Sequence, residues 1–223
     1  MSKIKHVLFD NDGTIVDSEI IAVRIMLRML KPFGLEMSER EYSHRFPGLR
    51  ERDIMAILKQ EYGIAPPEDF LLQLRAEHIR LFERELRTVP GMHRFFKTLK
   101  TPKSMVSNGS VQHVVRSLRR VRLHHALDGQ IFSAEHVERP KPHPDIYEYA
   151  LRQLDLRPGE AVVVEDSVTG VLAAKQAGLF VVGFLGATHI FDGHEERLRQ
   201  GGADAIAAEA NELKRIFQRL EVY

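Results

Sequence analysis

Two aspartates, Asp10 and Asp12, stand one residue apart at the end of the apolar run VLF, and Gly13 and Thr14 follow at once. A second acidic pair, Glu165 and Asp166, closes another apolar run, AVVV. Between them in chain order come Ser107 and Asn108, at the end of SMV, and Lys141, set among prolines in RPKPHP. Were these groups to meet, several carboxylates would share one spot, which is unfavourable unless something offsets the repulsion. Mg2+ would do so, because hard cations take oxygen ligands, often one or two carboxylates together with phosphate. Lysine is a second counter-charge and binds phosphate as a point charge. Ser107 and Asn108 can donate to phosphate oxygens. Acids, a hard cation, lysine and serine together describe phosphoryl transfer. One aspartate could be the nucleophile, forming an aspartyl phosphate, and the other could protonate the leaving oxygen.

The elements that must position these residues are legible in outline. Residues 6–10 are too few and too apolar for an amphipathic helix and predict a buried strand. From Val89 onward, helices are predicted over 92–100, 111–122, 144–154 and 168–177. Strands alternate with them over 104–107, 130–133, 161–165 and 180–184. A last short strand at 203–207 and a closing helix from Glu209 complete the pattern. Such alternation predicts an α/β fold, a Rossmann-like doubly wound parallel sheet covered on both faces. Sheets of this kind place ligands at the carboxyl ends of their strands. Asp10, Ser107, Asn108, Glu165 and Asp166 all fall at such ends, and Lys141 lies in the loop after the 130–133 strand. An extended backbone continued past Asp10 would aim Asp12 the same way and turn Asn11 aside, as a local hydrogen-bonding residue.

Residues 18–87 read differently. A stretch dense in Ile, Met, Leu and Arg runs from Ser18 to the region of Pro32 and Gly34. Ser38 with Glu41 fits a capping box opening a second helix. Residues 51–62 and 68–86 again look helical, separated by Gly63 and Pro66-Pro67, and no strand is convincing. The expected organisation is a discontinuous core, 1–16 with 88–223, interrupted by an all-helical insert, 17–87.

The chain of 223 residues suits a core domain with an insertion. Its 32 basic and 31 acidic residues give a net charge of +1, no reason to expect nucleic acid or an anionic membrane as partner. The arginines at 116, 119, 120 and 122 lack interleaved aromatics and read as a solvated helix face. With no cysteine, disulfides and thiolate metal sites are excluded. No signal peptide and no membrane-spanning run is visible, so a cytoplasmic protein is expected, with a monomer as the default.

Each motif has a blander reading. DNDG alone is a good turn sequence. A calcium loop beginning at Asp10 would need Gly at its sixth position and Glu at its twelfth, where Ile15 and Ile21 stand. Asp166 could be a helix N-cap, although Ser167 can take that place equally well. A lone Lys141 would be a solvated lysine. Four such features in order favour the chemical reading.

DNDGT, SNGS, the Lys141-Pro142 pair and VVEDS resemble, in order and spacing, the four signature motifs of the haloacid dehalogenase superfamily. The helical insert directly after the first motif resembles the C1 cap of its subfamily I, and the whole chain is similar to the bacterial sugar-phosphate phosphatases of that subfamily, the 6-phosphogluconate phosphatase type among them. The resemblance implies that Asp10 attacks phosphorus and that Asp12 is general acid and then base. It implies Mg2+ held by the Asp10 carboxylate, the Asp12 carbonyl and Asp166, with Glu165 direct or through water. Ser107 and Lys141, with the Asn108 amide, would bind the transferring group. Asn11 departs from the family, where an apolar residue is commoner.

Dehalogenases carry Tyr and phosphonatases Ala at the position of Asp12, so a phosphate-ester hydrolase is implied. A β-phosphoglucomutase-like mutase stays as the alternative. It would have a cap histidine at the position matched by Ala22 in this chain, and Val or similar rather than Thr14. A non-catalytic phosphate-binding module is the further alternative, disfavoured because no acid and no lysine is missing. The family's cap sets specificity, and HRFPGLRER resembles its substrate-facing segment. Gly48 would allow close backbone approach, and Arg45, Arg50 and Arg52 could meet a carboxylate or second phosphate of a small phosphorylated metabolite. Glu51 stands where the mutases place their phosphate-gripping arginine.

Overall fold

The computed structural model describes residues 3–46, Leu49, 51–190 and 192–222. The chain divides into two compact units, Met1–Asp17 with Arg87–Tyr223, and Ser18–Leu86.

The first unit is built on a six-stranded sheet in the order β3-β2-β1-β4-β5-β6, parallel at every pairing. Its strands are β1 (His6–Phe9), β2 (Lys103–Ser107), β3 (Ile131–Ser133), β4 (Ala161–Glu165), β5 (Phe180–Phe184) and β6 (Ala205–Ala207). The central strands HVLF and AVVVE are buried at every position, as a sheet covered on both faces requires. Helices α5 (Met92–Thr98), α6 (Val111–Arg120), α7 (Asp145–Gln153), α8 (Val168–Gln176), α9 (His194–Gln200) and α10 (Ala210–Arg219) connect and cover them. One apolar cluster joins Leu8, Val106, Val163 and Val181 of the strands to Ile146, Tyr147, Ala150, Val171 and Ala174 of α7 and α8. The expected doubly wound α/β core is thus the observed one. Helix α9 forms where no helix is predicted: it buries only Leu198, too little to produce a 3.6-residue apolar period.

The second unit contains α1 (Glu19–Leu30), α2 (Glu39–Arg45), α3 (Glu51–Tyr62) and α4 (Phe70–Glu85). Helix α1 packs against α2 and α4 and buries Ile20, Ile21, Val23, Ile25, Met26 and Leu30. Ser38 and Glu41 form the capping box at the start of α2, with Ser38 Oγ accepting from the Glu41 amide at 3.2 Å and the Glu41 carboxylate accepting from the Ser38 amide at 2.7 Å. Among the described residues no helix is long and apolar enough to cross a membrane.

Candidate active site

The strand order reverses direction between β1 and β4, the point at which an open α/β sheet has its ligand crevice. These strands lie in register, Phe9 beside Val164, and the Asp10 amide donates to the Val164 carbonyl at 3.0 Å. Asp10 and Glu165 therefore leave the sheet side by side. Together with Asp166 they form a buried acidic group, one oxygen from each lying within 4.8 Å of the others.

Lys141 reaches into this group from the loop before α7. Its Nζ donates to Asp10 Oδ1 at 2.7 Å, to Glu165 Oε1 at 2.6 Å and to the Val106 carbonyl at 2.7 Å. An ammonium has three N–H donors, and each has an acceptor. Asn108 fixes the loop: its side-chain oxygen accepts from the Lys141 amide at 3.0 Å and its NH2 donates to the Lys141 carbonyl at 3.1 Å. Glu165 is fully buried. Its Oε1 also accepts from the Tyr147 hydroxyl at 3.0 Å, and its Oε2 accepts from the Ser167 hydroxyl at 3.0 Å and the Ser167 amide at 3.3 Å. Both Glu165 oxygens are thus occupied twice by protein donors. Ser107 is buried, and its Oγ accepts from the Gly109 amide at 2.9 Å.

Lys141 is the ammonium bonded within this acidic group. Burial pushes the Asp10 carboxyl above its ordinary value; Lys141 opposes this, while Glu165 and Asp12 add to it. Burial works against the charge on Lys141, but Asp10 and Glu165 outweigh it and hold the ammonium well above its usual range. One ammonium among three buried carboxylates leaves a negative excess, and a divalent cation with a preference for oxygen ligands fits it.

Asp166 is set from the other side. The Thr14 hydroxyl donates to its Oδ1 at 3.2 Å. Gly13 has φ +76°, and a Cβ there would stand 1.9 Å from Asp166 Oδ2. Only glycine permits both that backbone and that approach. Ser167 is the N-cap of α8, accepting from the Gly170 amide at 3.0 Å, so Asp166 is not used as a cap.

Asp12 lies near enough to Asp10 to add to the rise of its carboxyl, while the buried group of three is Asp10, Glu165 and Asp166. The Asp12 carboxylate lies against α6, with His113 Nε2 at 3.0 Å from Oδ1 and 3.1 Å from Oδ2. The Asn11 amide donates to Asp12 Oδ2 at 3.1 Å. Past β1 the chain bends at Asn11 and turns over 13–15, and Asn11 makes the local hydrogen bond expected of it. Hydrogen bonding to Asp12 raises the His113 imidazole above its ordinary value, against burial. Thr14 belongs to the DNDGT motif, whereas His113 and Tyr147 carry no motif signal of their own. Only the placement of His113 three residues into a helix capped by Ser110 could have drawn attention to it.

In the helical unit, Arg45 pairs with Glu61, and Arg52 lies 3.4 Å from Asp53. Gly48 and Arg50 lie outside the described residues.

A family model described as haloacid dehalogenase-like hydrolase matches residues 7–184. The chain is 31% identical over 195 residues to the 6-phosphogluconate phosphatase of Escherichia coli (strain K12), covering 85% of this chain and 86% of that protein. It is 29% identical over 220 residues to the phosphorylated carbohydrates phosphatase of Thermotoga maritima, covering 96% of this chain and all of that one. A HAD family hydrolase from Deinococcus radiodurans R1, solved with bound phosphate and sodium, superposes with a TM-score of 0.91 at 29% identity, covering 100% of this chain and 98% of the other. With that match and those motifs at the switch point of the sheet, the chain belongs to the haloacid dehalogenase-like hydrolases.

Proposed function

We propose that this hydrolase is a Mg2+-dependent phosphatase of small phosphorylated metabolites, with sugar phosphates such as 6-phosphogluconate as its substrate class. The observation that carries the reading is the Lys141 ammonium bonded to Asp10 inside a buried group of three carboxylates. The names of the two curated relatives, and the phosphate bound by the Deinococcus hydrolase, support the substrate class.

Asp10 and Asp166, with the Asp12 carbonyl, would hold the cation. Glu165, whose oxygens are already occupied, would act through Lys141 and through water. When bound, Mg2+ neutralises the carboxylates and draws charge from the phosphoryl oxygens. Lys141 offers a positive charge next to the nucleophile, and the Ser107 hydroxyl, which accepts from Gly109, keeps its proton for a phosphoryl oxygen. Asp10 attacks phosphorus and becomes the aspartyl phosphate. Asp12 gives a proton to the leaving oxygen and then takes one from water.

The test is phosphate release from 6-phosphogluconate, hexose phosphates, glycerol and glycolate phosphates, nucleotides and β-glucose 1-phosphate, with and without Mg2+. Release that requires Mg2+ and vanishes in Asp10→Asn is expected. No release from any compound removes the phosphatase reading. Return of phosphate to a sugar in the presence of a bisphosphate would replace it with a mutase.

A further inference from the structure

Asp12 is held from α6 by groups that neither a metal nor a phosphoryl group requires. His113 Nε2 spans both of its oxygens, at 3.0 and 3.1 Å, and the Asn11 amide donates to Oδ2 at 3.1 Å. Asn11 is fully buried, and its Oδ1 lies 3.1 Å from the Ser117 hydroxyl, whose single proton is shared with the Val114 carbonyl at 2.8 Å. His113 and Ser117 stand four residues apart, on one face of α6. Ser110 caps that helix by accepting from the His113 amide at 3.1 Å. Gly109 makes room for the ring, since a Cβ there would stand 2.9 Å from His113 Cδ2.

On the phosphatase reading, which this inference rests on, Asp12 acts twice. As an acid it passes its proton to the leaving alcohol oxygen while the substrate P–O bond breaks and an Asp10 oxygen bonds phosphorus. As a carboxylate it takes a proton from the water whose oxygen attacks that phosphorus. The Asp10–phosphorus bond then breaks, phosphate leaves, and Asp12 is an acid again. One side chain must be held in both forms. An ammonium or guanidinium can only donate and suits the carboxylate alone. An imidazole nitrogen accepts from the acid in one tautomer and donates to the carboxylate in the other.

We propose that His113 is a positioning residue for Asp12, holding its carboxyl group toward the leaving oxygen in both protonation states, with Asn11 and Ser117 as support. The choice of leaving group tests this. An alkoxide needs a proton to depart and dinitrophenolate does not, while kcat/KM reports the steps up to leaving-group departure. In His113→Ala, kcat/KM for the preferred sugar phosphate should fall about ten- to a hundredfold, the scale of a misplaced general acid. The fall should lie in kcat with KM nearly unchanged, and kcat/KM for dinitrophenyl phosphate should stay within about threefold. His113→Gln, whose amide can also donate or accept, should recover most of the loss. Equal losses on both substrates, no loss on either, or a Gln variant as slow as Ala would overturn the assignment. A wild-type enzyme that hydrolyses neither compound would sink the phosphatase reading and this inference with it. An active wild type whose variants ignore the leaving group would sink this one alone.

Discussion

Replacing a helical glycine by alanine ordinarily stabilises a protein by up to about 1 kcal/mol, through propensity and the entropy of the unfolded chain. Gly170, in the first turn of α8, should do the opposite. A Cβ there would meet Glu165 Oε1 at 1.9 Å, the carboxyl carbon at 2.0 Å and Oε2 at 2.2 Å. The carboxylate has no spare space, since Glu165 is fully buried. It must shift by roughly 1 Å, enough to break hydrogen bonds of ordinary geometry. The bonds at risk run to Lys141 at 2.6 Å, Tyr147 at 3.0 Å and Ser167 at 3.0 Å. A hydrogen bond to a charged group contributes about 1.5–3 kcal/mol, and a buried ion pair that loses one partner costs about 3–5 kcal/mol. Against a gain of about 1 kcal/mol, the net expectation for Gly170→Ala is a loss on the order of 2–4 kcal/mol. Urea denaturation at neutral pH measures it, with Gly34→Ala as a contrast. Gly34, unlike Gly170, has positive φ, but nothing lies within 4 Å of its added Cβ, so its cost is that of the backbone alone. A Gly170→Ala protein as stable as the parent, or more stable, would refute the claim that Glu165 is wedged between α8 and Lys141.

Other perturbations read other parts of the molecule. Gly13→Ala combines a left-handed backbone with a Cβ 1.9 Å from Asp166 Oδ2. The backbone by itself should cost about 1–2 kcal/mol of stability, and the displaced Asp166 should raise the Mg2+ concentration needed for half-maximal activity; an unchanged Mg2+ requirement would separate Asp166 from the metal. His6, buried against Ser104 at 2.9 Å, is pushed down to about 4 by burial, with Asp128 opposing and Lys103 assisting. The unfolded chain then binds the proton better, so stability is whole above the ordinary histidine value near 6.5 and falls as pH drops from there toward 4. The loss is on the order of 3 kcal/mol, and it should flatten in His6→Gln when urea midpoints are compared at pH 7 and pH 4.5. Ser38→Ala removes the capping box of α2 and should lower stability by about 0.5–2 kcal/mol, readable as a shift in the melting of the helical unit.

Much of the fold was legible because its signals are local. A parallel sheet covered on both faces needs apolar runs, and VLF and AVVV are such runs, each ending in acids. The capping box at Ser38 and Glu41 spans three residues and needs no tertiary contact to be recognised. Helix α9 was missed for the same reason: with Leu198 as its buried residue it has no period to detect.

The sequence by itself determined which groups arrive at the carboxyl ends of the strands, because the type and length of each apolar run decide where a strand stops. It did not determine which of those groups meet. That Lys141 bonds both Asp10 and Glu165, across 131 and 24 residues, follows from β1 and β4 being neighbours at the switch point. Tertiary structure also decided what the Asp12 carboxylate rests against, the His113 ring of α6. His113 is 101 residues away on a helix whose rotation about its own axis depends on packing against the sheet. Periodicity shows which face of a helix is apolar, but not which polar side chain at that face's edge will reach a carboxylate on another element.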